Sequence, residues 1–343
     1  MRAKTQPEPA LPEDLARARN RTLQAVRQAV RSGELWQPGD RILLGISGGK
    51  DSIAAAVILA ALRRSLGHQL VLGHVDHGLQ PTSAAAAPLV AELASRLQVE
   101  FHSLQAHLPS GPDLEGRART ARYRALRQLG ERCHCQRLVT AHHAQDQAET
   151  LLMRASRGAG LAALQGVRSQ RDGWVVRPFL AIDRDELRDY AGDLPFWDDP
   201  SNACPDATRN AVRLQVLPVL QAAVPGAVAG LARTALNLQG ASAGLDFWLQ
   251  QALANQVQQL APGVLQLPAA LIPGQLDALA PLAHWIAAAL ALPPPSTRAV
   301  QQLQALRAKP GPGLARLSGM DVQAHRDFWT FSRRHVAQAQ GAD

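Results

Sequence analysis

An apolar run that stops at two glycines sets the frame for the whole chain. Leu43-Leu44-Gly45-Ile46-Ser47-Gly48-Gly49-Lys50-Asp51-Ser52 passes directly into an alanine-rich amphipathic segment, which reads as strand, tight loop and helix. Gly48 and Gly49 carry no Cβ, so the backbone can turn sharply and bring its N–H groups up to an anion. A helix starting near Asp51 adds unpaired N–H groups and the positive end of its dipole. Ser47 and Ser52 can donate hydroxyls to phosphate oxygens. Asp51 would repel phosphate unless a divalent cation lay between them, so the string predicts Mg²⁺ at Asp51 as well as phosphate. It is not a Walker A loop, because the Gly-x4-Gly-Lys-Ser/Thr spacing is absent and Asp51 stands where that loop needs a hydroxyl.

The periodicity after this loop alternates between the two regular structures. Strands are predicted at 41–46, 69–75, 99–104, 137–140 and 174–179, and helices at 53–66, 83–97, 113–133 and 183–190. Alternating βα units predict a doubly wound α/β fold with a parallel five-stranded sheet, in which the carboxyl ends of the strands line one crevice. The expected domains are a basic N-terminal extension and helix (1–38), a nucleotide-binding domain (39–222), a helical linker (223–260) broken at Gly240 and Gly244, and a small C-terminal α+β domain (261–343) ending in a hairpin over 314–331. Lys and Arg outnumber Asp and Glu by 36 to 28, a net charge of +8, which suits a polyanionic partner such as nucleic acid. No uninterrupted apolar stretch approaches a membrane span, and the start of the chain lacks a signal-peptide core, so a cytoplasmic location is expected. The three cysteines Cys133, Cys135 and Cys204 cannot build a paired framework and suit a reducing compartment. Cys133-His134-Cys135 looks like half of a metal site but lacks a second pair at ligand spacing, so zinc is not expected there.

Three further stretches carry candidate chemistry. The second strand runs into His74-Val75-Asp76-His77-Gly78-Leu79, where alternate side chains face opposite ways and a nucleoside-contacting loop fits better than a metal site. The fourth strand delivers Ala141-His142-His143-Ala144-Gln145-Asp146-Gln147-Ala148-Glu149-Thr150. Asp146 and Glu149, three apart, share a helix face. They could serve the helix dipole or hold an ammonium group. The helix at 113–133 carries Arg117, Arg119, Arg122, Arg124, Arg127 and Arg132; a salt-bridged surface explains most of them, with one or two left for phosphate charge.

The Ser47–Ser52 loop resembles the pyrophosphate loop of the N-type ATP pyrophosphatases. With the His74–Leu79 stretch, Ala118-Arg119-Thr120-Ala121-Arg122-Tyr123, the Ala141–Thr150 stretch continuing to Arg157-Gly158, and Asp199-Pro200-Ser201-Asn202 followed by Arg209-Asn210, the first 220 or so residues resemble the tRNA(Ile)-lysidine synthetases. The resemblance implies that the carbonyl oxygen on carbon 2 of the wobble cytidine of a tRNA(Ile) with a CAU anticodon attacks the α-phosphate of ATP and releases pyrophosphate, and that free L-lysine then attacks that carbon through its ε-amine and displaces AMP. It implies ATP and Mg²⁺ at Ser47, Gly48, Gly49, Lys50, Asp51, Ser52 and His74, lysine at His142, Asp146 and Glu149, and catalysis by Asp51, Arg122 and Arg209. The oligomeric state is not readable, with a homodimer one option. Gln145 and Gln80 depart from the family, the first by removing a charge beside the lysine site. A tRNA thiolase of the same class usually draws on paired Cys-x-x-Cys motifs, which this chain lacks. A silent tRNA-binding protein would have no need of Asp51 beside phosphate.

Overall fold

The computed structural model describes residues 21–76, 85–106, 114–198, 208–317 and 319–334. The first elements are α1 (Arg21–Ser32), β1 (Arg41–Gly45), α2 (Lys50–Leu66), β2 (Gln69–Asp76), α3 (Ala86–Leu97), β3 (Glu100–Gln105), α4 (Leu114–Arg132), β4 (Arg137–Val139) and α5 (Ala144–Ala155). They are followed by α6 (Leu161–Leu164), β5 (Gln170–Arg171), β6 (Val175–Val176), α7 (Arg184–Arg188), α8 (Thr208–Ala211), a π-helical turn at Val212–Val216, and α9 (Leu217–Ala223).

The sheet order is β3-β2-β1-β4-β6-β5. The first five strands in that order pair in parallel, while β5 pairs with β6 antiparallel. The parallel set of five is the one expected. The short antiparallel β5 is an addition, and the strand foreseen over 174–179 shortens to Val175–Val176. Residues 177–179 leave the ladder because the chain turns there, packing Phe179 fully into the core.

The doubly wound arrangement follows from the period of two in β1. Ile42 and Leu44 enter the core shared with α2, whereas Leu43 enters the opposite core with Leu126 and Leu129 of α4. On that side Gly73 of β2 leaves space: a Cβ there would meet Leu129 Cδ2 at 2.8 Å. Helix α2 is buried along almost its whole length, from Ser52 through Leu62, with its alanines permitting close approach. At the N-terminus, α1 buries Thr22, Leu23, Val26 and Val30 and ties Arg31 Nη2 to the Ser65 carbonyl at 3.3 Å.

The chain divides into two compact units, one comprising residues 1–159 and 163–237, the other 160–162 and 238–343. Helix α10 (Ala227–Leu253) leaves the first unit and enters the second. The expected breaks at Gly240 and Gly244 do not occur. Each helical glycine costs on the order of 1 kcal/mol, and the alanine, leucine and glutamine around them sustain the helix. The second unit holds β7 (Gln258–Ala261), β8 (Val264–Pro268), α11 (Leu276–Ala289), α12 (Thr297–Ala308), β9 (Gly313–Leu317), β10 (Met320–Ala324) and β11 (Phe328–Arg333). The expected hairpin is a three-stranded meander inside a five-stranded antiparallel sheet of order β7-β8-β11-β10-β9. Alternation along β11 buries Trp329 and Phe331 and leaves Phe328 exposed beside the ring of His325.

Candidate active site

The carboxyl ends of β1, β2 and β4 meet at the glycine loop, as parallel topology requires. Gly48 adopts φ +86°, and a Cβ there would come within 3.0 Å of the Ala86 Cβ, so the turn needs glycine both for its backbone angle and for its neighbour. The loop is braced from within. Ser52 Oγ donates to the Gly49 carbonyl at 2.8 Å, the Ser47 and Ser52 hydroxyls lie 3.2 Å apart, and Gly49 N–H donates to Ser47 Oγ at 3.3 Å. The Trp197 N–H reaches the Gly48 carbonyl at 2.9 Å, and Lys50 Nζ sits 5.6 Å from the centroid of the Phe196 ring.

His74 is buried beside this loop. Its Nδ1 donates to the Ile46 carbonyl at 3.0 Å, which leaves Nε2 as an acceptor, and that atom is buried without a hydrogen-bond partner. A buried lone pair of this kind fits a ligand hydroxyl or amino group, and the Gly48–Gly49 turn fits a phosphate. The loop residues therefore suit a nucleotide. The rest of the His74 stretch, from His77, lies outside the described residues, as do Gln80 and Asp199-Pro200-Ser201-Asn202.

Asp51, in the first turn of α2, is gripped by Arg188 of α7 through Nε at 2.5 Å and Nη2 at 3.2 Å. Arg184 Nε lies 3.9 Å from the same carboxylate and His143 Nε2 lies 3.7 Å away. Burial would raise the Asp51 pKa, but His143 and Arg188 outweigh it and hold the group well below the ordinary carboxylate range. Among the described residues, no cluster of three metal-ligating side chains gathers at Asp51.

The acidic pair of α5 is held by two arginines. Glu149, 0% exposed, accepts from Arg209 Nε at 2.7 Å and from Arg213 Nε at 2.7 Å. Asp146 accepts from Arg209 Nη2 at 2.5 Å and from the His143 backbone N–H at 2.9 Å. Gln145 donates to Glu149 Oε1 at 3.4 Å. Arg209 in α8 and Arg213 in the π-helical turn are four residues apart, so both reach one pair of carboxylates. The positions expected to hold an ammonium meet guanidinium groups, and Arg209, expected in catalysis, pairs with both acids.

His143 lies between Asp51 and the acidic pair: its Nε2 is 3.7 Å from Asp51 Oδ2 and 3.6 Å from Asp146 Oδ2. His142 bonds through Nδ1 to the Thr140 hydroxyl at 2.8 Å; burial pushes its pKa down to about 3, against the pull of Asp146. Arg122 lies with Arg119 and Arg171 around the Tyr123 ring, at 5.9, 5.3 and 4.3 Å from its centroid. Burial lowers the Arg122 pKa. Nothing in the sequence marks Arg184, Arg188 and His143 beyond two arginines on a short helix and a histidine beside His142.

A strand, a glycine-serine loop at the carboxyl edge of a parallel sheet, and an aspartate in the first turn of the next helix define a PP-loop nucleotide-binding protein, and the PP-loop domain family matches residues 17–220. The chain is 38% identical to the tRNA(Ile)-lysidine synthase of Thermobifida fusca over 73% of this chain and 76% of that one. It is 35% identical to the tRNA(Ile)-lysidine synthase of Novosphingobium aromaticivorans over 87% and 91%. The chain belongs to the tRNA(Ile)-lysidine synthase family of ligases. Among solved structures, the U34-tRNA thiolase NcsA of Methanococcus maripaludis shares the fold, with a TM-score of 0.53 at 18% identity over 63% of this chain and 77% of that one.

Proposed function

We propose that this chain modifies tRNA(Ile) by joining L-lysine to carbon 2 of the wobble cytidine in a CAU anticodon. The carbonyl oxygen on that carbon attacks the α-phosphate of ATP and releases pyrophosphate. The ε-amine of lysine then adds at carbon 2 and AMP leaves with the oxygen. The observation that supports this reading is the continuity of the site: His143 lies within 3.7 Å of Asp51 and within 3.6 Å of Asp146, so the residues proposed for phosphate and those proposed for lysine are neighbours.

Ser47, Gly48, Gly49, Lys50 and Ser52 would take the phosphates, and His74 Nε2 would accept from the nucleoside. Mg²⁺ at Asp51 would neutralise the pyrophosphate as it leaves. Arg188 would then turn from Asp51 to the phosphates, the kind of charge a guanidinium stabilises most as it develops. An incoming ε-ammonium competes with Arg209 and Arg213 for Asp146 and Glu149, and a displaced Arg209 is free to join Arg122 on the adenylate. The amine must lose a proton before it attacks, and a carboxylate of this pair stands in reach of it.

The test is incorporation of labelled lysine, with ATP and Mg²⁺, into unmodified tRNA(Ile) bearing CAU, against a tRNA(Met) control. Incorporation confined to the isoleucine tRNA is expected. Pyrophosphate release without incorporation would leave an adenylating enzyme with another nucleophile, and incorporation into both tRNAs would remove the anticodon-context specificity from the proposal.

A further inference from the structure

On the opposite edge of the parallel sheet, where the strands begin, three ligand-type side chains from separate segments converge. Glu100 and His102 stand at the start of β3, and Cys133 follows the last residue of α4. Cys133 Sγ lies 3.5 Å from His102 Nε2 and 3.7 Å from Glu100 Oε1, and the latter two atoms are 2.7 Å apart. All three ligand atoms fall within 4.8 Å of one another. They open into a pocket of about 320 Å³ that Arg41, Arg132 and His134 also line.

We propose that Glu100, His102 and Cys133 form a site for a divalent transition metal, with Zn²⁺ the best match to the donors. Zinc bonds of roughly 2.3 Å to sulfur and 2.0–2.2 Å to nitrogen and oxygen put neighbouring tetrahedral ligands on the order of 3.3–3.7 Å apart. The two sulfur distances already lie in that range, and the histidine–carboxylate pair has to open by about half an ångström. A thiolate, an imidazole and one carboxylate oxygen form a borderline-soft set that favours zinc over magnesium or calcium.

The surroundings pre-arrange this set. Arg41 pairs with Glu100 Oε2, which leaves Oε1 facing the cysteine and histidine. The cysteine turn is fastened to β1: the Arg41 N–H donates to Gln136 Oε1 at 2.7 Å, and Gln136 Nε2 donates to the His134 carbonyl at 2.9 Å. His134 itself is held at φ +54°, a left-handed conformation uncommon for a residue with a side chain. Cys135 Sγ instead approaches the Cys133 carbonyl at 3.8 Å, so it is not among the ligands. The sequence pattern concealed the site because two of its three ligands come from β3, about thirty residues before Cys133.

Cobalt titration of the purified, metal-stripped chain tests the proposal. One equivalent of Co²⁺ is expected to give tetrahedral d–d absorption with a thiolate-to-cobalt charge-transfer band, bleached by zinc. Cys133→Ser is expected to abolish the charge-transfer band, His102→Ala the tetrahedral spectrum, and Cys135→Ser neither. Arg41→Met is expected to weaken binding roughly 10- to 100-fold, the usual effect of losing an outer partner of a ligand. Zinc should raise the melting temperature of the wild type and not that of Cys133→Ser, with circular dichroism reporting whether each variant is folded. A charge-transfer band that persists in folded Cys133→Ser, or its absence from the wild type at stoichiometric cobalt, overturns the site.

Discussion

Arg209 donates from Nε to Glu149 Oε2 at 2.7 Å across sixty residues of chain, and the carboxylate that receives it is wholly buried. This pair, with Asp146 and Arg213, forms a cluster of two carboxylates and two guanidinium groups on one face of α5. Removing Glu149 should leave the two arginines sharing one carboxylate, that of Asp146.

Glu149→Gln is therefore expected to act twice. Breaking a buried pair by deleting one partner costs several kcal/mol; with both arginines partly exposed to solvent, about 2–3 kcal/mol of stability is expected to be lost in chemical denaturation. In kinetics, the lysine KM should rise at least tenfold more than the ATP KM. Equal rises for both substrates would remove Glu149 from the lysine site.

Asp51→Ala is expected to reduce pyrophosphate release by about 10²- to 10³-fold, the scale on which a single group acting on developing charge contributes. Binding of tRNA, measured by filter retention, should stay within a few fold of the wild type. Release at the wild-type rate would exclude Asp51 from metal and phosphate chemistry.

Gly48→Ala should be costly because the φ of +86° and the 3.0 Å approach to Ala86 leave no relaxed place for a Cβ. A loss of about 1–2 kcal/mol in thermal unfolding is expected from the backbone angle, with a rise in the ATP KM larger than the fall in stability explains. An unchanged ATP KM would mean that the turn does not touch nucleotide.

Acid sensitivity should trace in part to His68. Burial pushes its pKa from 6.5 down to about 4; its Nε2 lies 3.1 Å from the Leu59 carbonyl, and its ring packs edge-on to Trp36. The unfolded chain binds the proton first, so the contribution of neutral His68 is fully present above pH 6.5 and is lost as pH falls toward 4. The slope approaches 1.4 kcal/mol per pH unit within that window. Denaturant titrations at pH 7 and pH 4.5 should differ by roughly 2–3 kcal/mol more for the wild type than for His68→Gln. Identical differences would assign the acid sensitivity elsewhere.

What the residues encoded by themselves was local. The glycine turn at Gly48, the amphipathic helices and the period of two in β1 are written within windows of about ten residues, and backbone sterics with hydrophobic patterning suffice to read them. The parallel sheet followed because βα alternation admits few topologies, while its strand order came only with the fold. Errors arose where a local signal was weak against its context: Gly240 and Gly244 could not break a helix sustained by its neighbours, and β6 kept only Val175 and Val176 of a longer apolar run. The partners were decided by the tertiary structure alone. Arg188 reaches Asp51 across 137 residues and His102 reaches Cys133 across 31, and such pairings depend on where whole elements dock. A short-range pattern shows which side chains can carry charge or bind metal, while the packing of the sheet and its helices determines which of them share the same few ångströms.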